Sequence, residues 1–255
     1  MSCLLKKRGG FVKKTFVILI PLLCLLIAGC GTYAKFTYPS DFNKLIQLYE
    51  KPKYPISVGV LPLDDKRLNV NNFGGFFLYL IPLMPFGHAQ YTRPDSARMF
   101  NTIAQFEFNP PEDLAKAIAT SLRRSNIFEN VYFTYGGDSG PDLLIRGSIL
   151  STDWEGKIYS YGLSVFGPCL WFFGLPAGSS YNQLNLELFL NKADTKELIW
   201  NYSFNKEKRI VQGLYYYFGH DVKAYTDLME EGMNEAIKSL DERLRNIPLE
   251  KIKKK

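Results

Sequence analysis

Leu184-Asn185-Leu186-Glu187-Leu188-Phe189-Leu190 places a leucine at every second position, and Leu198 to Phe204 follows after Ala193-Asp194-Thr195-Lys196. Side chains alternate across a strand with period two, so this stretch predicts a strand with one buried face, joined through a turn into an antiparallel hairpin. A sheet with an apolar face needs a second layer to cover it. Downstream, from Asp221, the residues Val222, Tyr225, Met229, Met233, Ala236, Ile237, Leu240 and Leu244 mark one face of a helix closed by Pro248. Glu230, Glu231, Lys238, Asp241 and Arg245 line its other side. Upstream, Pro110-Pro111-Glu112-Asp113 opens a helix capped by Asn109, and Leu114, Ile118 and Leu122 recur on one face as far as Ser125-Asn126. Further strands are expected at Ile56–Leu63, ending in a turn at Asp64-Asp65, at Val131–Phe133, and at Asp142–Ile149 after the loop Gly136–Pro141. The fold class is therefore α+β: a mixed or antiparallel sheet with helices packed on it, including a long C-terminal helix, plus two apolar insertions.

With 46% hydrophobic and 22% charged residues, the 255-residue chain is too apolar to be disordered and long enough to bury a core. Its formal charge of +6 is unevenly placed. Lys6, Lys7, Arg8, Lys13 and Lys14 precede a short apolar run, Thr15 to Leu26, and then Ile27-Ala28-Gly29-Cys30. A basic start, a short apolar core and small residues before a cut describe a secretory signal, too short for the ~20 residues that span a bilayer. The ending resembles the lipobox of bacterial lipoproteins. That resemblance covers residues 1–30 and implies cleavage between Gly29 and Cys30, acylation of Cys30 and stable anchoring by several acyl chains. Gly31, not an Asp, follows the cysteine, which resembles the pattern for export to the outer membrane, with the protein on its periplasmic face. Removing the five leading cations leaves 26 against 25 acids, so a nucleic-acid footprint is disfavoured. Cys3 and Cys24 leave with the signal and Cys30 is blocked by lipid, so Cys169 remains alone, read as a buried or lipid-facing thiol.

The expected organisation is a cleaved signal peptide over 1–29, a lipidated tether over 30–55 with a short helix around Asp41 to Tyr49, one periplasmic domain over 56–247, and a basic tail over 248–255. Lys251, Lys253, Lys254 and Lys255 make that tail a solvated end, or one drawn to anionic headgroups at about 1 kcal/mol per residue. Within the domain, Val58–Leu63, then Ser125-Asn126-Ile127-Phe128-Glu129-Asn130-Val131, then Asp142–Gly147 is similar to the order in several periplasmic lipoprotein families. These are the curli-secretion channel lipoprotein, the lipoprotein activators of peptidoglycan synthases and the N-terminal domain of the Tol-system translocation protein. The resemblance covers roughly residues 56–150 and supports the fold more than a role.

Two insertions carry no Asp, Glu, Lys or Arg: residues 68–92, containing the apolar stretch 73–86, and residues 158–186, containing the aromatic stretch 159–178. Prolines at 82, 85, 168 and 176 exclude a transmembrane helix. One reading makes both segments core. The other makes them surfaces for lipid or a protein partner, with Phe76, Phe77, Tyr79, Leu80, Trp171, Phe172 and Phe173 as the contacts. Tyr159, Tyr161, Leu163 and Val165 alternate with small residues, a pattern that also suits a membrane hairpin.

No catalytic constellation stands out. His88 and His220 are the only histidines and have no His or Cys at ligand spacing, so no metal is expected. Asp64-Asp65 reads as a solvated turn, His220-Asp221 as a helix cap, and Gly162-Leu163-Ser164 lacks the second glycine of a nucleophile elbow. The leading expectation is a non-enzymatic outer-membrane lipoprotein acting as an envelope binding or assembly module. It has no cofactor beyond the covalent lipid on Cys30, membrane lipid as one partner and an envelope protein as another. Two alternatives stay open: a subunit of an oligomeric export pore, and a periplasmic enzyme with an unrecognised carboxylate site.

Overall fold

The computed structural model describes residues 33–72, 74–95, 105–136, 140–220 and 223–252. The leucine-alternating stretch lies in β10 (Gly178–Lys192), which pairs antiparallel with β11 (Leu198–Gln212) from Gly178↔Gln212 to Leu190↔Trp200. The hairpin is longer than the alternation announced, because Gly178 to Asn182 continue the strand with small and polar residues. Even-numbered residues of β10 are buried from Gly178 to Leu190 and odd-numbered ones half-exposed, as a one-sided sheet requires.

On its other edge β10 changes partner. Residues 178–182 pair with β9 (Trp154–Tyr159), and residues 185–192 pair with β8 (Leu143–Ser151). Beyond β8 lie β2 (Tyr54–Val60) and β7 (Phe128–Phe133), parallel to one another, with β2 also parallel to β8. Beyond β9 lie β5 (Phe86–Tyr91) and β4 (Asn71–Asn72), both antiparallel. The sheet is therefore mixed. Asp64-Asp65, expected as a turn, form the short strand β3 against Ser148 and Ile149, because Pro62 ends β2 and the chain then re-pairs three residues further along β8.

Helices α1 (Pro110–Ser125) and α3 (Ala224–Arg245) cover the leucine face. Leu114, Ile118 and Leu122 of α1 and Tyr225, Met229, Met233, Ile237 and Leu240 of α3 share one core with Leu184, Leu186, Leu188 and Leu190. Each such side chain contributes roughly 1.5–3 kcal/mol by burial. Helix α1 opens on Pro110 with Glu112 and Asp113 in its first turn. The Asn109 side chain does not cap it. The Asn109 N–H instead donates to the Asp113 carboxylate at 2.8 Å, and the helix ends at Asn126 in the left-handed region. Asp221, the expected cap of the long helix, lies outside the described residues, and that helix starts after Lys223.

The stretch read as a tether is, from Tyr33 onward, a strap bound into the fold. β1 (Tyr33–Lys35) pairs parallel with β6 (Gln105–Glu107), and Phe36 stacks on Phe108 with centroids 4.8 Å apart. The chain then follows α3. The Ser40 N–H and hydroxyl donate to Glu230 at 2.6 and 2.7 Å, the Ile46 N–H donates to Asn234 at 3.0 Å, and the Tyr49 hydroxyl donates to Asp241 at 2.7 Å. The helix expected around Asp41–Tyr49 is one 3-10 turn, Phe42–Lys44, capped by Asp41. Leu45 is buried, with Ile46 and Leu48 packed against the core. Glu230 and Asp241, expected on the solvated side of α3, are 4% and 2% exposed because the strap covers them. The expected basic tail is in part structured as well: Leu249–Ile252 form the short helix α4, which buries Ile252.

Candidate functional site

The sheet outruns its helices. The Tyr225 hydroxyl, in the first turn of α3, donates to the Thr152 carbonyl at 2.9 Å, which fixes the start of the helix beside the junction of β8 and β9. Past that level, β9, β5 and the first residues of β10 form a lobe from both apolar insertions and a third segment, residues 210–220, that also carries no Asp, Glu, Lys or Arg.

The two insertions are tied mainly through their backbones. The Leu83 N–H donates to the Gly162 carbonyl at 2.9 Å, and the N–H groups of Ser160 and Tyr161 share the Pro85 carbonyl at 2.9 Å. The Ser160 hydroxyl donates to the Met84 carbonyl at 2.6 Å, and the Ser164 hydroxyl to the Leu80 carbonyl. Ser164 is thus a strut between segments. Gly87 permits the closest approach: a Cβ there would lie 2.0 Å from the Phe76 carbonyl oxygen. The third segment joins through the Tyr215 hydroxyl, which donates to the Phe172 carbonyl at 3.0 Å. With much of its backbone polarity satisfied inside, the lobe turns apolar side chains outward. Leu83 is 90% exposed, Phe173 80%, Phe166 69% and Phe172 67%.

Of the seven contact residues expected from sequence, Phe77, Leu80, Phe172 and Phe173 are exposed, and Tyr79 and Trp171 are half-buried. Phe76 is buried, edge-on to Phe77 and Tyr79, and supports the surface rather than forming it. Trp171 donates its indole N–H to the Tyr159 carbonyl at 3.0 Å. Cys169, expected to be buried or lipid-facing, is exposed on the short helix α2 (Pro168–Trp171), which removes the buried alternative. The alternating run past Tyr159 is not a strand: Tyr161 adopts a φ of 55°, Ser164 a φ of 54°, and Ser164–Phe166 form a 3-10 turn. Sequence reasoning missed Leu83 and Phe166 as outward-facing residues within the insertions, and the whole third segment, whereas Val165, read as an apolar position of a membrane hairpin, is exposed on the 3-10 turn. The signal for the last was the run Tyr215-Tyr216-Tyr217-Phe218 in an uncharged stretch. Gly29 and Cys30 lie outside the described residues.

A buried arginine holds the neck of the lobe. Arg67, 5% exposed, donates Nε and Nη2 to the two oxygens of Asp65 at 2.8 and 2.9 Å, and Nη1 and Nη2 to those of Asp95 at 2.6 and 3.2 Å. Nη1 also donates to the Thr152 hydroxyl at 2.6 Å. Arg67 and Asp95 flank the first insertion in sequence and Thr152 precedes β9, so one guanidinium closes the first insertion onto the β8–β9 junction. Its hydrogen bonds hold the Asp65 carboxyl below the usual carboxylate range. Asp65 is thus committed to a structural ion pair, and Asp64 is exposed beside it. Among the described residues, no group of three or more His, Cys, Asp or Glu side chains gathers as a metal site.

At the base of the lobe, a groove of about 330 Å³ separates the edge of β11 from the start of α3, lined by Lys208, Arg209, Tyr217, His220, Lys223 and Asp227 among others. Asp227 is engaged by Lys208 and by Lys44. Arg209 and Lys223 have no ion-pair partner among the described residues. On the adjoining sheet face, Lys157 lies 5.2 Å from the centre of the Phe86 ring. Burial and the neighbouring Glu207 push the Tyr181 hydroxyl up to about 12. Among the described residues, no helix is long and apolar enough to cross a membrane.

No protein-family model and no curated protein matches the chain. Among solved structures, a DUF330-family protein from Xanthomonas campestris is similar at 10% identity and a TM-score of 0.40, over 82% of this chain and 92% of its own. A provisionally named lipoprotein from Caulobacter crescentus is similar at 12% identity and a TM-score of 0.22, over 44% of this chain and 68% of its own.

Proposed function

We propose that the chain is a non-enzymatic bacterial lipoprotein, cleaved after Gly29 and acylated on Cys30, held on the periplasmic face of the outer membrane. Its α+β body acts there as an envelope binding or assembly module, and the apolar lobe is the contact surface. The observation that carries this reading is the build of the lobe. Three uncharged segments satisfy one another's backbones and leave Leu83, Phe166, Phe172 and Phe173 in the open. An exposed patch of large apolar side chains drawn from several segments marks an interaction site in a stable protein. The non-enzymatic part is supported by the state of the Asp64-Asp65 pair: Asp65 is locked by Arg67, which leaves Asp64 exposed without a free carboxylate beside it.

The test is radiolabelled palmitate incorporation and density fractionation of wild type and Cys30→Ser, together with a photo-crosslinker placed at Phe173 and, as control, at Glu197 in the distant hairpin turn. Label on the wild type alone, sedimentation with outer membranes and adducts from position 173 but not 197 are expected. An unlabelled wild type, or equal adducts from both positions, refutes the reading.

A further inference from the structure

We infer that the lobe inserts into the same lipid leaflet that holds the Cys30 acyl chains, with Arg209 and Lys223 seated at the phosphates of anionic phospholipids. This rests on the lipoprotein reading above and names the partner of its contact surface.

The first argument is where the chain joins the body. Followed from Tyr49 back toward Thr37, the strap runs along α3 from Asp241 to Thr226, whose hydroxyl donates to the Thr37 carbonyl at 3.0 Å. It thus leaves the helix at its first turn. Phe36 stacks on Phe108, and Phe108 on Tyr225 with centroids 5.8 Å apart, so β1 lies at the end of the helical layer that adjoins the lobe. Cys30 precedes Tyr33 by three residues, which reach at most about 10 Å. From Asn182, level with the α3 start through the Lys208–Asp227 pair, β10 advances four residues to Gly178, or about 13 Å, into the lobe. An anchor this short holds the lobe at the membrane surface at high effective concentration, with the lobe end of the sheet toward the lipid.

The second argument is the distribution of charge. Residues 68–92, 158–186 and 210–220 contain no Asp, Glu, Lys or Arg, as lipid contact requires. Cations gather at the base of the lobe, where headgroups would lie. Of the nearby acids, Glu155 and Asp227 are paired with Lys157 and Lys208 and Glu207 is held against the Tyr181 hydroxyl, while Arg209 and Lys223 line the groove open to phosphate. Tyr217 lines the groove beside Arg209 and Lys223, and Trp171, next to the exposed Phe172, is tied to the Tyr159 carbonyl, so amphipathic rings of the kind that favour a bilayer interface adjoin both the cations and the apolar tip. The opposite end of β10 carries Lys192, Asp194, Lys196 and Glu197 and suits water.

Cys169 supplies a native probe, since it is exposed on the lobe and the lipoprotein reading leaves it the one free thiol of the mature chain. The full lipoprotein, its N-terminal peptide weighed to establish acylation, is labelled there with an environment-sensitive fluorophore. It is then reconstituted into phosphatidylethanolamine vesicles with and without phosphatidylglycerol, carrying nitroxide lipids. A Cys169→Ser/Glu197→Cys protein provides the control position. Expected are a blue-shifted emission and at least about twofold quenching at Cys169 in anionic vesicles, with neither at position 197. Arg209→Glu/Lys223→Glu weakens the quenching in anionic vesicles, and Phe172→Ser/Phe173→Ser weakens it in both compositions. Acylated Cys30 with an unquenched Cys169 overturns the insertion and leaves the lipoprotein reading standing, pointing to a protein partner. Quenching that ignores both phosphatidylglycerol and the charge reversals overturns the headgroup assignment. An unacylated Cys30 removes the premise and the proposal with it.

Discussion

Replacing Arg67 by Met tests the neck directly. The guanidinium is 5% exposed and makes five hydrogen bonds, four to the oxygens of Asp65 and Asp95 and one to Thr152. Methionine keeps much of the stem and removes the charge, leaving two carboxylates with side chains 22% and 15% exposed facing a common void. Breaking a buried ion pair by removing one partner costs about 3–5 kcal/mol. Partial hydration of both acids and Arg93, 3.5 Å from Asp65, offset some of that, so a loss of about 3 kcal/mol is expected near neutral pH. Urea unfolding of the two proteins measures it. The sign with pH follows from Asp65, whose pKa is lowered by Arg67 in the folded state. Its contribution is present above the unfolded carboxylate pKa and disappears as pH falls through the lower folded value. The gap between wild type and Arg67→Met therefore closes on acidification. Hydrogen exchange in residues 68–92 should quicken before exchange in β10, because the first insertion loses its closure. Adding Asp65→Asn and Asp95→Asn to Arg67→Met should restore part of the loss. A difference below about 1 kcal/mol, or one that does not vary with pH, refutes the clamp.

Gly87→Ala drives a Cβ to 2.0 Å from the Phe76 carbonyl oxygen, and a loss of about 1–3 kcal/mol in urea is expected, with the lobe the first part to exchange amide protons. Tyr49→Phe removes a hydroxyl that donates to a carboxylate 3% exposed, at an expected cost of about 1.5–3 kcal/mol near neutral pH. Burial alone would raise the Asp241 carboxyl, but hydrogen bonds from Tyr49, Lys53 and Arg245 outweigh it and hold it low, so this gap too closes as pH falls through the folded value. Leu188→Ala, at a position 1% exposed, should cost about 2–5 kcal/mol, whereas Phe173→Ser, at one 80% exposed, should stay within about 0.5 kcal/mol by the same thermal melt.

The hairpin and both long helices were legible because burial on one face imposes a period that composition cannot hide. Leu184 to Leu190 and Tyr225 to Leu244 each obey theirs. The strap was not legible, since residues 33–55 bind through scattered polar contacts to Glu230, Asn234 and Asp241 and through isolated apolar anchors such as Phe36 and Leu45, none of which leaves a periodic trace. For the same reason those helix positions read as solvated. The lobe was legible as composition and not as direction: Phe76 and Phe77 are neighbours of the same type, yet one is buried and one faces out. Only the fold decides between them, by packing the Phe76 ring edge-on against Phe77 and Tyr79. Cys30 rests on a motif alone, and its chemistry stands apart from any packing argument.

The change of partner along β10 has a mechanical meaning. One unbroken strand belongs to the lobe over residues 178–182 and to the helix-covered body over residues 185–192, with β11 bonded alongside both. A pull on the lobe along the strand axis loads many rungs of that ladder together in shear, and the two regions have no loop between them about which to swivel. The lobe is thereby coupled through one continuous strand to the hairpin turn at Asp194–Lys196, so that a tilt of the lobe is carried toward that far end.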